Sequence, residues 1–219
     1  MRGAEPAATP GKDQPTDARL LSVLSRAREM GFLGPGPVSA HVPHARAFAV
    51  AIGGPPTCLI DLGSGAGLPG LVLGMLWPRS TVVLLESSHR RAAFLRDAVG
   101  QLALANSLVL EQRAEDAGRS VRWRGVADIV VARSFAAPST TAECGAGLLR
   151  VTGRLVVSEP PEARSPRWPA DGLAKLGLRW ETMVAVGHAH FAVLRQVEPC
   201  PDRYPRRDGV PGRRPLFGG

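Results

Sequence analysis

Asp61-Leu62-Gly63-Ser64-Gly65-Ala66-Gly67-Leu68-Pro69-Gly70 is the stretch on which the reading of this chain turns. The apolar run Cys58–Leu62 leads into it, and a helix-compatible segment, Pro69–Trp77, leads out, with Pro69 suited to a first helical turn. Outward from this unit the pattern repeats. Apolar runs at Thr81–Glu86, Ser107–Glu111, Val126–Ala132 and Arg154–Ser158 alternate with segments of helical spacing, Ser88–Leu104 and Pro138–Leu149. Continuous apolar runs are what parallel strands buried on both faces require, and right-handed crossovers supply the helices. Two further β-like segments, Leu178–Val186 and Ala189–Val197, are separated by Gly187-His188. That link is too short for a helical crossover, so they form an antiparallel hairpin. The expected fold is α/β: a doubly wound, Rossmann-like sheet of seven strands, mostly parallel, with the hairpin at one edge.

The glycines let the turn be tight and let a ligand approach the backbone. Two ligand classes fit the same residues. Gly65-x-Gly67-x-x-Gly70 matches the dinucleotide fingerprint, and Glu86, 21 residues after Gly65, stands where a ribose-binding acid belongs. Read from Asp61, the loop is Asp-x-Gly-x-Gly-x-Gly, the form seen in S-adenosylmethionine enzymes. Asp61 discriminates between them: a carboxylate there repels a pyrophosphate but attracts a ligand carrying an ammonium and a sulfonium. The methyl donor is therefore favoured over a nicotinamide cofactor, and a dehydrogenase stands last among the readings. This makes the fold that of a class I S-adenosylmethionine-dependent methyltransferase, with Asp61, Gly63, Gly65, Gly67 and Glu86 expected around the donor.

Further blocks occur in order: Leu84-Leu-Glu-Ser-Ser-His-Arg-Arg-Ala-Ala-Phe-Leu95, Arg113-Ala-Glu115, Asp128-Ile-Val-Val-Ala-Arg133 and Tyr204-Pro-Arg-Arg-Asp-Gly-Val-Pro-Gly-Arg-Arg-Pro-Leu216. Together with the glycine loop they resemble the bacterial small-subunit ribosomal RNA guanine-N7 methyltransferases, also called glucose-inhibited division protein B. The resemblance implies donor contacts at Gly63, Leu68, Ala114, Glu115 and Arg133, and methyl transfer to a guanine of 16S ribosomal RNA or the small subunit. It also shows departures. His41-Val-Pro-His-Ala-Arg-Ala replaces a family stretch of the form His-x-x-Asp-Ser-Leu, and Ser158-Glu159-Pro160-Pro161 stands where the family has Lys-Gly. His41 on its own reads as a helix-entry or buried hydrogen-bonding histidine, and Glu159 turns a basic spot acidic.

The remaining composition fits a nucleic-acid partner. The chain has 219 residues and a net charge of +8, with only two lysines, Lys12 and Lys175, among 27 basic residues. Such a balance favours a polyanion. The closing segment offers Arg203, Arg206, Arg207, Arg213 and Arg214 for phosphates and Tyr204 for stacking. No apolar run is long enough for a membrane span, and Met1-Arg-Gly-Ala-Glu-Pro lacks the apolar core of a secretory signal, so a cytoplasmic protein is expected. Cys58, Cys144 and Cys200 are too few and too scattered for a disulfide framework or a zinc site, and no metal is expected. A monomer is the default. The expected organisation is a disordered leader over 1–15, a helical segment over 16–54 whose first helix Asp17 caps, the methyltransferase domain over 55–198 and an Arg/Pro-rich tail over 199–219. Two alternatives stay open: an RNA-binding ribosome-assembly paralogue that keeps the donor pocket without turning over, and a same-fold methyltransferase with a non-RNA acceptor.

Overall fold

A computed structural model describes residues 18–160 and 167–218; the expected leader and the Asp17 cap lie outside them. Each apolar run forms a strand. In chain order these are β1 (Cys58–Leu62), β2 (Thr81–Glu86), β3 (Ser107–Glu111), β4 (Ala127–Ala132), β5 (Leu149–Glu159), β6 (Leu178–Val186) and β7 (Ala189–Gln196). They make one sheet in the order β3-β2-β1-β4-β5-β7-β6. The first five strands are mutually parallel, and β7 runs antiparallel to both β5 and β6.

The continuous apolar character of the strands follows from cover on both faces. Leu59, Leu84, Val131 and Val156 face a core built with α1 (Ala18–Glu29), α2 (Val38–Ile52), α3 (Gly70–Leu76) and α4 (His89–Gln101). Ile60, Leu85, Val130 and Leu155 face the other core, built with α5 (Ala114–Arg119), α6 (Pro138–Leu148) and α7 (Ala170–Ala174). Each leucine or isoleucine fully withdrawn from water contributes about 1.5–3 kcal/mol, so two-sided burial makes the strand runs the main source of stability.

The site follows from the strand order. The chain winds outward from β1 through β2 to β3, then returns to place β4 beside β1. Loops leaving β1 and β4 therefore diverge, and a crevice opens at the carboxyl ends of the strands.

The structure departs from the sequence reading at β5 and adds detail at α2 and at the tail. α2 starts at Val38 and runs through Pro43, so His41 and His44 are helical. β5 begins at Leu149 rather than Arg154, and its pairing with β4 is irregular between Ala127 and Ile129. The Arg/Pro-rich tail packs onto the domain and carries a short helix, α8 (Val210–Arg213). Pro205 sits in a notch between Gly118 of α5 and Gly147 of α6. A Cβ on Gly118 would lie 2.9 Å from its ring, and one on Gly147 2.6 Å from it. Arg124 fixes the tail's start by donating to the carbonyls of Cys200 and Tyr204.

Candidate functional site

The loop after β1 is held by backbone hydrogen bonds and two carboxylates. Gly63 and Ser64 both donate to the Leu85 carbonyl, at 2.9 and 3.0 Å, which ties the loop to the end of β2. Gly63 has φ +71°, and a Cβ there would strike the Phe135 ring, so no other residue fits this close crossing. Glu86, 4% exposed, uses Oε2 to accept the Gly65 N–H at 3.0 Å and Oε1 to accept the Ser88 N–H at 2.8 Å. Arg91 Nε lies 3.3 Å from Oε1. Gly65 itself, at φ +54°, has free space on its Cβ side apart from the Gly63 carbonyl at 3.8 Å.

Asp61 is 1% exposed, and its Oδ2 accepts the Gly70 N–H at 3.0 Å. Burial pushes its pKa up to about 7, opposed by the Gly70 N–H, Ser64 and the positive charge of Arg133. The sequence reading placed this carboxylate against the ligand's cations. In the structure it lies under the loop and braces the first turn of α3, outside the lining of the neighbouring cleft. Leu68, also buried, and Gly67 lie in the same bend.

That cleft encloses about 320 Å³, at the lower end of the ~300–1,000 Å³ usual for small-molecule sites. Gly63, Glu86, Ala114 and Glu115 line it as expected, so residues from the ends of three strands converge on one space. Sequence reasoning missed Arg91, Gln112 and Phe135 in the same lining. Gln112 carries a buried Oε1 with no hydrogen-bond partner. Its position directly after β3, two residues before Ala114, was the available signal.

Arg133 lies behind the cleft, at the end of β4. Its Nη2 donates to Nδ1 of His41 at 2.8 Å, which makes Nδ1 the acceptor, while Nη1 is buried without a partner. Burial lowers the pKa of His41, with Arg133 adding to the effect. On the next turn of α2, His44 Nε2 lies 3.0 Å from Ser158 Oγ. Burial, then Arg133 and His41, bring the His44 pKa down to about 4. Helix α2 thus reaches the carboxyl ends of β4 and β5. A second cleft of about 350 Å³ adjoins the first along Ser134–Ala136 and is lined by Ser158, Glu159 and Arg167. Glu159 does not leave this region acidic. Its Oε2 accepts from Arg167 at 2.7 Å and its Oε1 from Trp168 Nε1 at 2.9 Å, and burial raises its pKa.

The tail corrects two expectations. Tyr204, expected to stack on bases, is 8% exposed and belongs to the core shared with α5 and α6. Arg206, expected to meet phosphate, grips Glu143, which is fully buried in α6: Nε donates to Oε1 at 2.9 Å, Nη2 to Oε2 at 2.6 Å, and the Arg206 backbone N–H to Oε1 at 2.7 Å. A buried carboxylate needs such a partner, because an unpaired one is too costly to keep. Arg203, Arg207, Arg213 and Arg214 are exposed. Among the described residues there is no cluster of His, Cys, Asp or Glu that could hold a metal, and no helix long and apolar enough to cross a membrane.

The sheet order, the reversed β7 and the glycine loop at the β1/β4 crevice define a class I methyltransferase fold. Solved structures agree on that fold. A cofactor-bound Rv0187 from MTB superposes with a TM-score of 0.61 at 19% identity, over 84% of this chain and 92% of that one. A 16S rRNA (adenine(1408)-N(1))-methyltransferase from Catenulisporales acidiphilia, solved with cosubstrate SAM, gives 0.53 at 17%, over 72% and 93%. The family model described as rRNA small subunit methyltransferase G matches residues 46–160. Proteins named Ribosomal RNA small subunit methyltransferase G are 37% identical in Roseiflexus sp. (strain RS-1), over 83% of this chain and 80% of the relative, and 34% identical in Moorella thermoacetica, over 80% and 77%. This chain belongs to the small-subunit ribosomal RNA methyltransferase G family.

Proposed function

We propose that this chain methylates 16S ribosomal RNA of the small subunit at N7 of a guanine, using S-adenosylmethionine. The observation that carries this is the cleft at the β1/β4 crevice, where Gly63, Glu86, Ala114 and Glu115 converge in a chain whose relatives bear that name.

The residues fit the donor. Open space beside Gly65 admits a ligand to the backbone, and Glu86 has lone pairs left for ribose hydroxyls while it holds Gly65 and Ser88. Gln112 offers an unpaired carbonyl oxygen beside Ala114 and Glu115, suited to an amino group on a purine edge. Asp61, buried beneath the loop, accepts the Gly70 N–H and so shapes the bend against which the donor lies. Bound S-adenosylmethionine supplies an electrophilic methyl group on sulfur.

Guanine N7 has an in-plane lone pair and no proton to lose, so the chain needs no general base. What its residues contribute is alignment and exclusion of water. The second cleft, along Ser134–Ala136, is the place for the acceptor base, which must leave any stack to reach the donor. The exposed Arg203, Arg207, Arg213 and Arg214 suit RNA phosphates. A cytoplasmic monomer completes this reading.

The test incubates the chain with radiolabelled methyl donor and unmodified small subunits, then identifies the modified nucleoside by mass spectrometry. N7-methylguanosine is the expected product. Donor binding and salt-sensitive RNA binding without label in RNA would instead make the chain an assembly factor. Label on another acceptor would remove RNA as the substrate.

A further inference from the structure

The tail does two things within eight residues. Gly209 and Gly212 line the cleft assigned to the donor, while Arg207 and Arg214, which flank them, are exposed to solvent. The inward side is built from the same residues that line the rest of the cleft. The Gly209 N–H donates to Glu115 Oε1 at 3.0 Å, Arg113 Nη2 lies 2.7 Å from Asp208 Oδ1, and Thr140 Oγ1 donates to the Pro211 carbonyl at 3.1 Å. Glu115, Arg113 and Thr140 all line the cleft themselves. The segment is anchored upstream by the buried Arg206–Glu143 pair and downstream by Ser139 Oγ, which accepts the Leu216 N–H at 2.8 Å.

We propose that residues 207–214 form a wall of the donor cleft and couple RNA engagement to donor binding. A wall held at its ends, with short polar contacts along its inner side, has a mobile range set by those contacts. Phosphates gathered on Arg207 and Arg214 favour the seated position. The seated position completes the cleft and so favours the donor. Donor and RNA then share one conformational cost, and whichever arrives first meets it for the other. Linkage requires the effect to be reciprocal: RNA raises donor affinity by the factor by which donor raises RNA affinity. Glycine at 209 fits this placement, since its φ of +69° is one that side chains rarely adopt and a Cβ there would lie 3.3 Å from Arg213 Nη2, whereas a Cβ at 212 would meet nothing within 4 Å.

The proposal rests on the donor and RNA assignments made above, and its test separates the three. Titration calorimetry measures affinity for S-adenosylhomocysteine, alone and with saturating unmodified 16S ribosomal RNA at low salt. RNA is expected to tighten binding by about fivefold or more, the lower end of ordinary coupling. In Arg207→Ala/Arg214→Ala, the ratio of donor affinities with and without RNA should fall to about one under conditions that still saturate the variant with RNA, and a ratio kept at the wild-type value overturns the coupling. Hydrogen exchange supplies the second readout: S-adenosylhomocysteine alone should slow the amides of 209–214, in wild type and variant alike. Wild type that binds RNA yet shows equal donor affinity with and without it overturns the coupling. Amides in 209–214 that exchange as fast with ligand as without overturn the wall. Failure to bind S-adenosylhomocysteine would strike the donor assignment instead, and failure to bind RNA the acceptor.

Discussion

The glycine loop at 61–70 and the tail at 199–218 both border the cleft proposed for the donor, but they are held in opposite ways. The loop is local. Asp61 answers Gly70, Gly63 reaches the strand just after it in the sheet, and Glu86 lies one strand away. The tail is remote in sequence from everything that holds it: Arg206 from Glu143 by 63 residues, Gly209 from Glu115 by 94, and Tyr204 from Arg124 by 80. A local device can be read from spacing. A remote one shows in sequence only as arginines and prolines, which look the same whether they face water or a buried carboxylate.

Mutations can widen or erase this contrast. The largest effect is expected at the tail's anchor. Arg206→Ala removes the guanidinium and leaves the buried Glu143 carboxylate only the residue-206 backbone N–H, which should cost about 3–5 kcal/mol. At about 2–4 °C per kcal/mol for a chain of this size, the melting temperature should fall by roughly 10 °C. A drop as small as that of an exposed arginine would mean that Glu143 finds another partner. Gly65→Val acts on the loop. It fills the free side of Gly65 in a backbone conformation that suits glycine, and should weaken S-adenosylhomocysteine binding about 100-fold, roughly 2.8 kcal/mol. Unchanged calorimetric affinity would detach the loop from the donor.

Asp61→Asn probes the charge beneath the loop. Burial raises the Asp61 pKa from 3.8 to about 7. The folded state therefore holds its proton more tightly than the unfolded state, and stability is fully present below pH 4 and is lost as pH rises through 7. The asparagine variant keeps an acceptor for Gly70 without the charge. It should gain on the order of 4 kcal/mol over wild type at pH 8 and nothing below pH 4, in ligand-free thermal melts. His44 gives the smallest effect and the opposite sign. Its pKa falls from 6.5 to about 4, so the unfolded chain takes up the proton first. Stability should decline as pH drops from 6.5 towards 4, and His44→Phe should flatten that decline in the same melts.

Most of the fold was legible because two-sided burial writes itself into the strands: Thr81–Glu86 and Ser107–Glu111 emerge with the bounds the apolar runs suggest. The front of β5 was not, since Leu149–Gly153 joins the sheet through an irregular pairing that period alone does not encode. α5 and α7, six and five residues long, depend on tertiary contacts rather than on their own periodicity. Gly63, Glu86, Ala114 and Glu115, which line one cleft, were legible as candidates because each sits at a strand end or a turn. Gln112 and Gly209 were missed because what matters is the emptiness or the company around them. His41 sits near the start of α2, half-buried and hydrogen-bonded, but its partner Arg133, 92 positions away, could not be inferred.

The notch around Pro205 gives the tail a keyed seat. Because Gly147 leaves room for one ring and no more, a single added methyl on α6 would force Pro205 out. Arg206 would then lose its reach to Glu143, and the disturbance would run along the chain to Gly209 at the cleft. A change at Gly147, which does not line the cleft, would thereby be felt there.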